Sequence, residues 1–282
     1  MAGFGRRNKR TSNVTPLRPL RHDYSAIQRN LVKKDDSKFT RARRRGIYLL
    51  PNLFTTAALF CGFVSIVQGM NQHFEGAAIA IFLAMVLDGM DGRIARLTNT
   101  QSVFGEHYDS LSDMVSFGVA PALVMYEWQL KGLGKLGWLA AFVYCAGAAL
   151  RLARFNANIA VVDKRFFQGL PSPAAAALLA GFLWLMVDNR VLAGSLSLPW
   201  MAFVITVYAG VAMVTSVPFY SGKAFNTQYR VPFGMLVLLI VGFVVVSSDP
   251  PVALFSLFVC YALSGFATWL WDAGRRKFKR KP

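Results

Sequence analysis

The sequence has few of the residues that mark a soluble domain or a disulfide scaffold. Only 16% of its 282 residues are charged against 55% hydrophobic, and the mean hydropathy is +0.40. Soluble domains carry about a quarter charged residues. Three cysteines occur, Cys61, Cys145 and Cys260, each inside an apolar stretch with no CxxC partner or neighbouring histidine. That excludes a disulfide framework and a Cys/His zinc site, and leaves the three as small core residues. No internal repeat is visible. Forty-odd polar residues precede the first apolar stretch, so no signal peptide is expected.

Long apolar runs are abundant. From residue 47 onward they recur near the length that crosses a hydrocarbon core of about 30 Å. The expected spans are 47–69, 74–97, 103–130, 136–155, 173–187, 198–214, 231–246 and 252–271. Their apolar residues run all the way round each helix, which argues against a soluble bundle. The expected fold class is therefore all-α, a polytopic transmembrane helical bundle of about eight spans. The expected organisation is a basic N-terminal arm over 1–46, a membrane domain over 47–272 and a basic tail over 273–282.

The net charge of +17 is concentrated at the two ends. Residues 1–46 hold fourteen Lys/Arg against three Asp, and residues 275–281 hold six more with no acid. A basic chain can indicate nucleic acid. Here the basic segments flank membrane spans, so anionic membrane lipid is the expected partner and nucleic acid is not. An even number of spans puts both termini on one side. With both inside, only Lys131, Lys135 and Arg190 fall outside, so both termini and the loop at 97–104 are expected to be cytoplasmic.

Against this apolar background stand four aspartates, Asp88, Asp91, Asp109 and Asp113. Carboxylates at membrane depth are costly unless paired or bound to a cation. Asp88 and Asp91 are three apart on one helix and share a face, and Asp109 and Asp113, four apart, share a face on the next. The short connection makes the two helices an antiparallel hairpin, so the pairs can meet across one interface. Hard oxygen ligands without a Cys/His set suit Mg²⁺ or Mn²⁺. Two such ions about 3.5–4 Å apart are typical of phosphoryl chemistry. Gly89, Gly92 and Gly105 each weaken a helix interior by roughly 0.5–1 kcal/mol relative to Ala, and leave open surface for a ligand. Arg96, about two turns past Asp88, could hold a phosphate with paired hydrogen bonds. The array suits a diphosphate attacked in line at phosphorus. A calcium loop is disfavoured because Asp88-Gly-Met-Asp91-Gly92 lacks the downstream Glu. An ion-coupled transporter would spread its carboxylates over several mid-membrane positions.

The spacing Asp88-Gly-x-Asp91-Gly92-x-x-Ala95-Arg96-(x)8-Gly105-x-x-x-Asp109-x-x-x-Asp113 resembles the signature of the CDP-alcohol phosphotransferases at every fixed position. The flanks resemble one branch of that family most, the bacterial CDP-diacylglycerol–serine O-phosphatidyltransferases. The supporting stretches are Ile47–Thr55, Asp109–Pro121, Arg151–Asn156 and Gly169–Pro173, and the resemblance covers about residues 47–240.

The resemblance implies a core of six helices with its site at the cytoplasmic surface, a homodimer, and a bacterial inner-membrane location. It implies phosphatidyl transfer from CDP-diacylglycerol to the hydroxyl of L-serine with release of CMP, dependent on Mg²⁺ or Mn²⁺. Asp88, Asp91 and Asp109 match the metal ligands. Asp113 matches the general base, which can also touch a second ion. Gly92, Arg96 and Ser102 match positions contacting CDP, and Asn52 and Thr55 lie where the first helix contributes nucleotide contacts. Arg151 and Arg154, at the end of the fourth span, could bind the serine carboxylate, or could reach to the membrane surface. His107 is a rival base on a different face of its helix. Small-residue stretches such as Ala174 to Ala177 could pack against neighbours. Other acceptors remain open at this point: choline, glycerol 3-phosphate, inositol and inositol phosphate. So does a cation transporter.

Overall fold

The computed structural model describes residues 51–98, 100, 102–158, 166–188, 197–220 and 233–278. The basic arm, the loop holding Asp163, Lys164 and Arg165, and Arg190 lie outside these.

The helices follow the apolar runs closely. They are α1 (Pro51–Met70), α2 (Phe74–Thr98), α3 (Val103–Asp113), α4 (Ala120–Trp128), α5 (Lys135–Asn158), α6 (Ser172–Asp188), α7 (Ser197–Val214), α8 (Phe233–Ser248) and α9 (Pro250–Phe278). A π-helical turn, Met114–Val119, joins α3 to α4, and together they make the expected third span. Among the described residues, four helical stretches are long and apolar enough to cross a bilayer unaided: α1, α5, α7 and the Pro250–Ala267 part of α9. The protein is an integral membrane protein of the helical-bundle class. Among the described residues, one short ladder joins two inter-helix loops. Strand β1 (Phe166–Gln168) pairs antiparallel with β2 (Pro218–Tyr220), Phe167 opposite Phe219.

Helix α6 is apolar all round and lies at the centre, packed on α2 and α9. Every residue from Ala174 to Leu183 is buried. The run Ala174–Ala177 is therefore consumed inside the chain's own bundle and is not free to meet a second subunit, because its small side chains let α2 and α9 close on α6. Cys61 is buried, but Cys260 faces outward from α9 and is not a core residue.

Helices α5 and α7 touch backbone to backbone. A Cβ on Gly147 would strike the Gly210 carbonyl oxygen, and one on Gly210 would lie 2.8 Å from Tyr144 Cα. Small residues at a membrane helix crossing allow this approach.

The π-helical turn has a local cause. Pro121 has no N–H, and the carbonyl four residues before it is that of Phe117. The helix widens, with Ala120 N–H reaching back to Val115 O. Phe117 O can take no bond from Pro121, and it accepts from the fully buried Tyr144 hydroxyl of α5 at 2.9 Å. Unpaired carbonyls at membrane depth are costly, so the turn needs this donor. It begins at the residue after Asp113.

Candidate active site

One end of the bundle gathers the ends of six helices. Buried hydroxyls of α3 and of the π-helical turn clip them to α1: Ser112 donates to Thr55 O and Ser116 to Ala58 O, both at 3.2 Å. Ser110 on α3 bonds Asn156 on α5. Arg151 on α5 donates to Ser172 at the start of α6 (2.7 Å), and Arg154 to the last carbonyl of α7, Val214 O (2.9 Å).

These clips bring the two aspartate pairs together. Asp88, Asp91 and Asp109 each offer a carboxylate oxygen within 4.8 Å of the others. Asp91 is only 5% exposed, and its Oδ2 accepts from Thr55 Oγ1 at 2.7 Å. Asp113 sits beside Asp88, and the Arg151 guanidinium acts on its charge. Oδ1 of Asp109 and Oδ1 of Asp113 are buried without a hydrogen-bond donor. Among the described residues the ion pair formed, Lys131–Glu127, is elsewhere. Crowded carboxylates with orphaned acceptors are unstable at this depth without a positive charge. The donor set is all oxygen. The site therefore fits a hard divalent cation and could hold one.

A cleft of about 210 Å³ opens beside the cluster. Asn52, Thr55, Gly92, Arg96 and Ser102, five residues singled out in the sequence, line it together with Asp91 and Asp109. Gly92 and Gly105 keep it open: a Cβ on Gly92 would approach Arg96 Nη2 at 3.7 Å, and one on Gly105 would crowd Ser102 Oγ at 3.2 Å and Asn52 Oδ1 at 3.4 Å. Gly89 is exposed and does not line the cleft. Arg96 folds back on its own helix, its Nε donating to Gly92 O at 2.8 Å, which leaves the Nη end on the cleft wall. Ser102 caps α3 by accepting from Gly105 N–H at 3.0 Å, so its proton stays available to a ligand. The N-terminus of α3 thus faces the cleft, a favourable place for an anion.

The two arginines of α5 behave differently. Arg154 satisfies the C-terminus of α7. Arg151 is turned inward between Asp113, Ser172, Tyr144 and Tyr261, and its Nε is buried without a partner. Reaching out to a membrane surface would expose the guanidinium, and Arg151 does the opposite. His107 and Arg93 are exposed and line no part of the cleft.

Some site features carry no strong sequence signal. Thr100 and Glu106 also line the cleft. Tyr261 comes from α9, about 150 to 170 positions from the aspartates. The bond from Thr55 to Asp91 links two helices across 36 residues.

Residues 48–214 match the family model for CDP-alcohol phosphatidyltransferases. The chain is 35% identical over 227 residues to a CDP-diacylglycerol–serine O-phosphatidyltransferase of Helicobacter pylori, covering 79% of this chain and 92% of that protein. A protein of the same description in Methanocaldococcus jannaschii is 33% identical over 211 residues, covering 73% of this chain and 90% of that one. One in Saccharomyces cerevisiae is 35% identical over 196 residues, covering 63% and 68% respectively.

Proposed function

Since the chain belongs to the CDP-alcohol phosphatidyltransferase family, we propose that it makes phosphatidylserine, transferring the phosphatidyl group of CDP-diacylglycerol to L-serine and releasing CMP. The observation that carries this reading is the cleft itself, in which the nucleotide-type residues Asn52, Gly92, Arg96 and Ser102 stand against the carboxylates of Asp91 and Asp109.

Asp88, Asp91 and Asp109 would hold Mg²⁺ or Mn²⁺, with Asp113 placed to contact a second ion. Bound there, the ions would offset the negative charge of the diphosphate. Arg96 and Ser102 donate to phosphate oxygens, and Gly92 and Gly105 let the ligand lie close to the helices. Asp113 accepts the proton of the serine hydroxyl. The serine oxygen bonds to the β-phosphorus that bears diacylglycerol, the bond from that phosphorus to the bridging oxygen breaks, and CMP departs with the electron pair. A carboxylate is a weak base for an alcohol, so holding the reactants aligned supplies much of the rate. The inward guanidinium of Arg151 receives the serine carboxylate, which pairs with its orphaned Nε.

The charge asymmetry supports placing the cleft and both termini on the cytoplasmic side, with the basic arm on anionic lipid; the bacterial inner membrane is the location that goes with the family resemblance. A homodimer is part of the same reading. The test is purified protein with CDP-diacylglycerol, Mn²⁺ or Mg²⁺ and a panel of labelled alcohols. Release of CMP with serine alone, and phosphatidylserine as product, is expected. Turnover with choline, inositol or a phosphorylated acceptor instead would reassign the substrate. No CMP with any acceptor would reject the enzyme.

A further inference from the structure

We infer that Thr55 is a positioning residue for the metal ligand Asp91, and that through it α1 sets the distance between the two carboxylate-bearing helices. This inference rests on the divalent-metal reading of the site. Thr55 is 3% exposed, and its hydroxyl has one proton. That proton is directed to Asp91 Oδ2 at 2.7 Å, with Pro51 O as a second acceptor at 3.1 Å. Both acceptors lie within the protein, so the proton is already committed before any ligand arrives. A nucleotide contact through this donor would have to break the bond to Asp91.

The same residue is held from the other side. The buried hydroxyl of Ser112 on α3 donates to the Thr55 carbonyl at 3.2 Å. Ser112 lies between Asp109 and Asp113 in sequence. One residue of α1 is thus bonded to α2 beside Asp91 and to α3 beside the other pair. The bond also occupies Oδ2 of Asp91, which leaves Oδ1 as its oxygen freer to meet a cation. A hydroxyl donor to a ligating carboxylate fixes the orientation of that ligand, and loss of such a partner typically weakens metal affinity about 10- to 100-fold.

The experiment titrates Mn²⁺ alone into the full-length protein in lipid nanodiscs, following free Mn²⁺ by electron paramagnetic resonance. The proteins compared are wild type, Thr55→Val, Thr55→Ser and Ser112→Ala. Thr55→Val keeps the shape and loses the hydroxyl. It is expected to bind Mn²⁺ at least about tenfold more weakly, while KM for CDP-diacylglycerol at saturating Mn²⁺ stays within about twofold of wild type. Thr55→Ser restores the donor and is expected to recover the Mn²⁺ affinity. Ser112→Ala is expected to weaken Mn²⁺ by a smaller factor. If Thr55→Val does not assemble, Thr55→Ala is read in the same way.

Wild-type Mn²⁺ affinity in Thr55→Val with a raised KM for CDP-diacylglycerol would overturn the inference and return Thr55 to the nucleotide. Equal weakening in the Val and Ser variants would overturn it in favour of simple packing. An unchanged affinity in Ser112→Ala would overturn the coupling to α3. Failure of wild type itself to bind Mn²⁺ would instead reject the metal site, a result separable from all of these.

Discussion

Replacing Tyr144 with Phe tests the account of the π-helical turn. The ring is fully buried and would keep its contacts, so the perturbation is the loss of one hydroxyl. That hydroxyl donates to Phe117 O at 2.9 Å, the carbonyl that Pro121, lacking an N–H, cannot serve. An orphaned buried carbonyl costs about 1–3 kcal/mol, and Phe117 is fully buried. Tyr144→Phe is therefore expected to lose about 2 kcal/mol of stability. In a Pro121→Ala background the new N–H at position 121 can reach Phe117 O, and the same change should cost less than about 1 kcal/mol. The assay is SDS titration of the four proteins of the cycle in mixed micelles, followed by circular dichroism. CMP release should fall as well in the single variant, because the turn begins one residue after Asp113. Equal losses in both backgrounds, or no loss beside Pro121, would refute the reasoning.

Other outcomes follow from the site and the packing. Asp113→Asn is expected to lower turnover by about 10²–10⁴-fold with Mn²⁺ binding affected far less, measured as CMP release against free Mn²⁺. Arg151→Gln should raise the KM for serine about 10- to 100-fold, the range for losing a charged hydrogen-bond partner, with the KM for CDP-diacylglycerol unchanged; an unaltered serine KM would remove Arg151 from the acceptor pocket. Gly210→Ala is expected to destabilise by about 1–3 kcal/mol in the same SDS titration, since its Cβ would sit 2.8 Å from Tyr144 Cα.

The spans were legible because burial in lipid demands long apolar runs, and the expected boundaries fall close to those of α1 through α9. The aspartate cluster was legible because helical spacing places Asp88 with Asp91 and Asp109 with Asp113 before any tertiary contact is known. What escaped depends on pairs far apart in sequence. The alanine run of α6 looks like an oligomer contact until α2 and α9 are seen to close on it. Arg151 and Arg154 look alike three residues apart. Only the positions of Ser172 and Val214 separate an inward cation from one that ends a neighbouring helix. Thr55 reads as a nucleotide contact because nothing local indicates that its proton is already committed to Asp91. Pro121 inside an apolar run signals a helix distortion near it, but not its partner Tyr144.

Helix α5 has a property that no single contact on it displays. Tyr144, Arg151, Arg154 and Asn156 reach Phe117 in the turn after α3, Ser172 on α6, Val214 on α7 and Ser110 on α3, so one rod carries four attachments at fixed axial heights. Each extra residue in an α-helix turns everything beyond it by about 100° and advances it about 1.5 Å. A single insertion between Tyr144 and Arg151 would leave every side chain present yet swing both arginines off their targets together. This segment should therefore accept many substitutions on its outward face while tolerating almost no change in length.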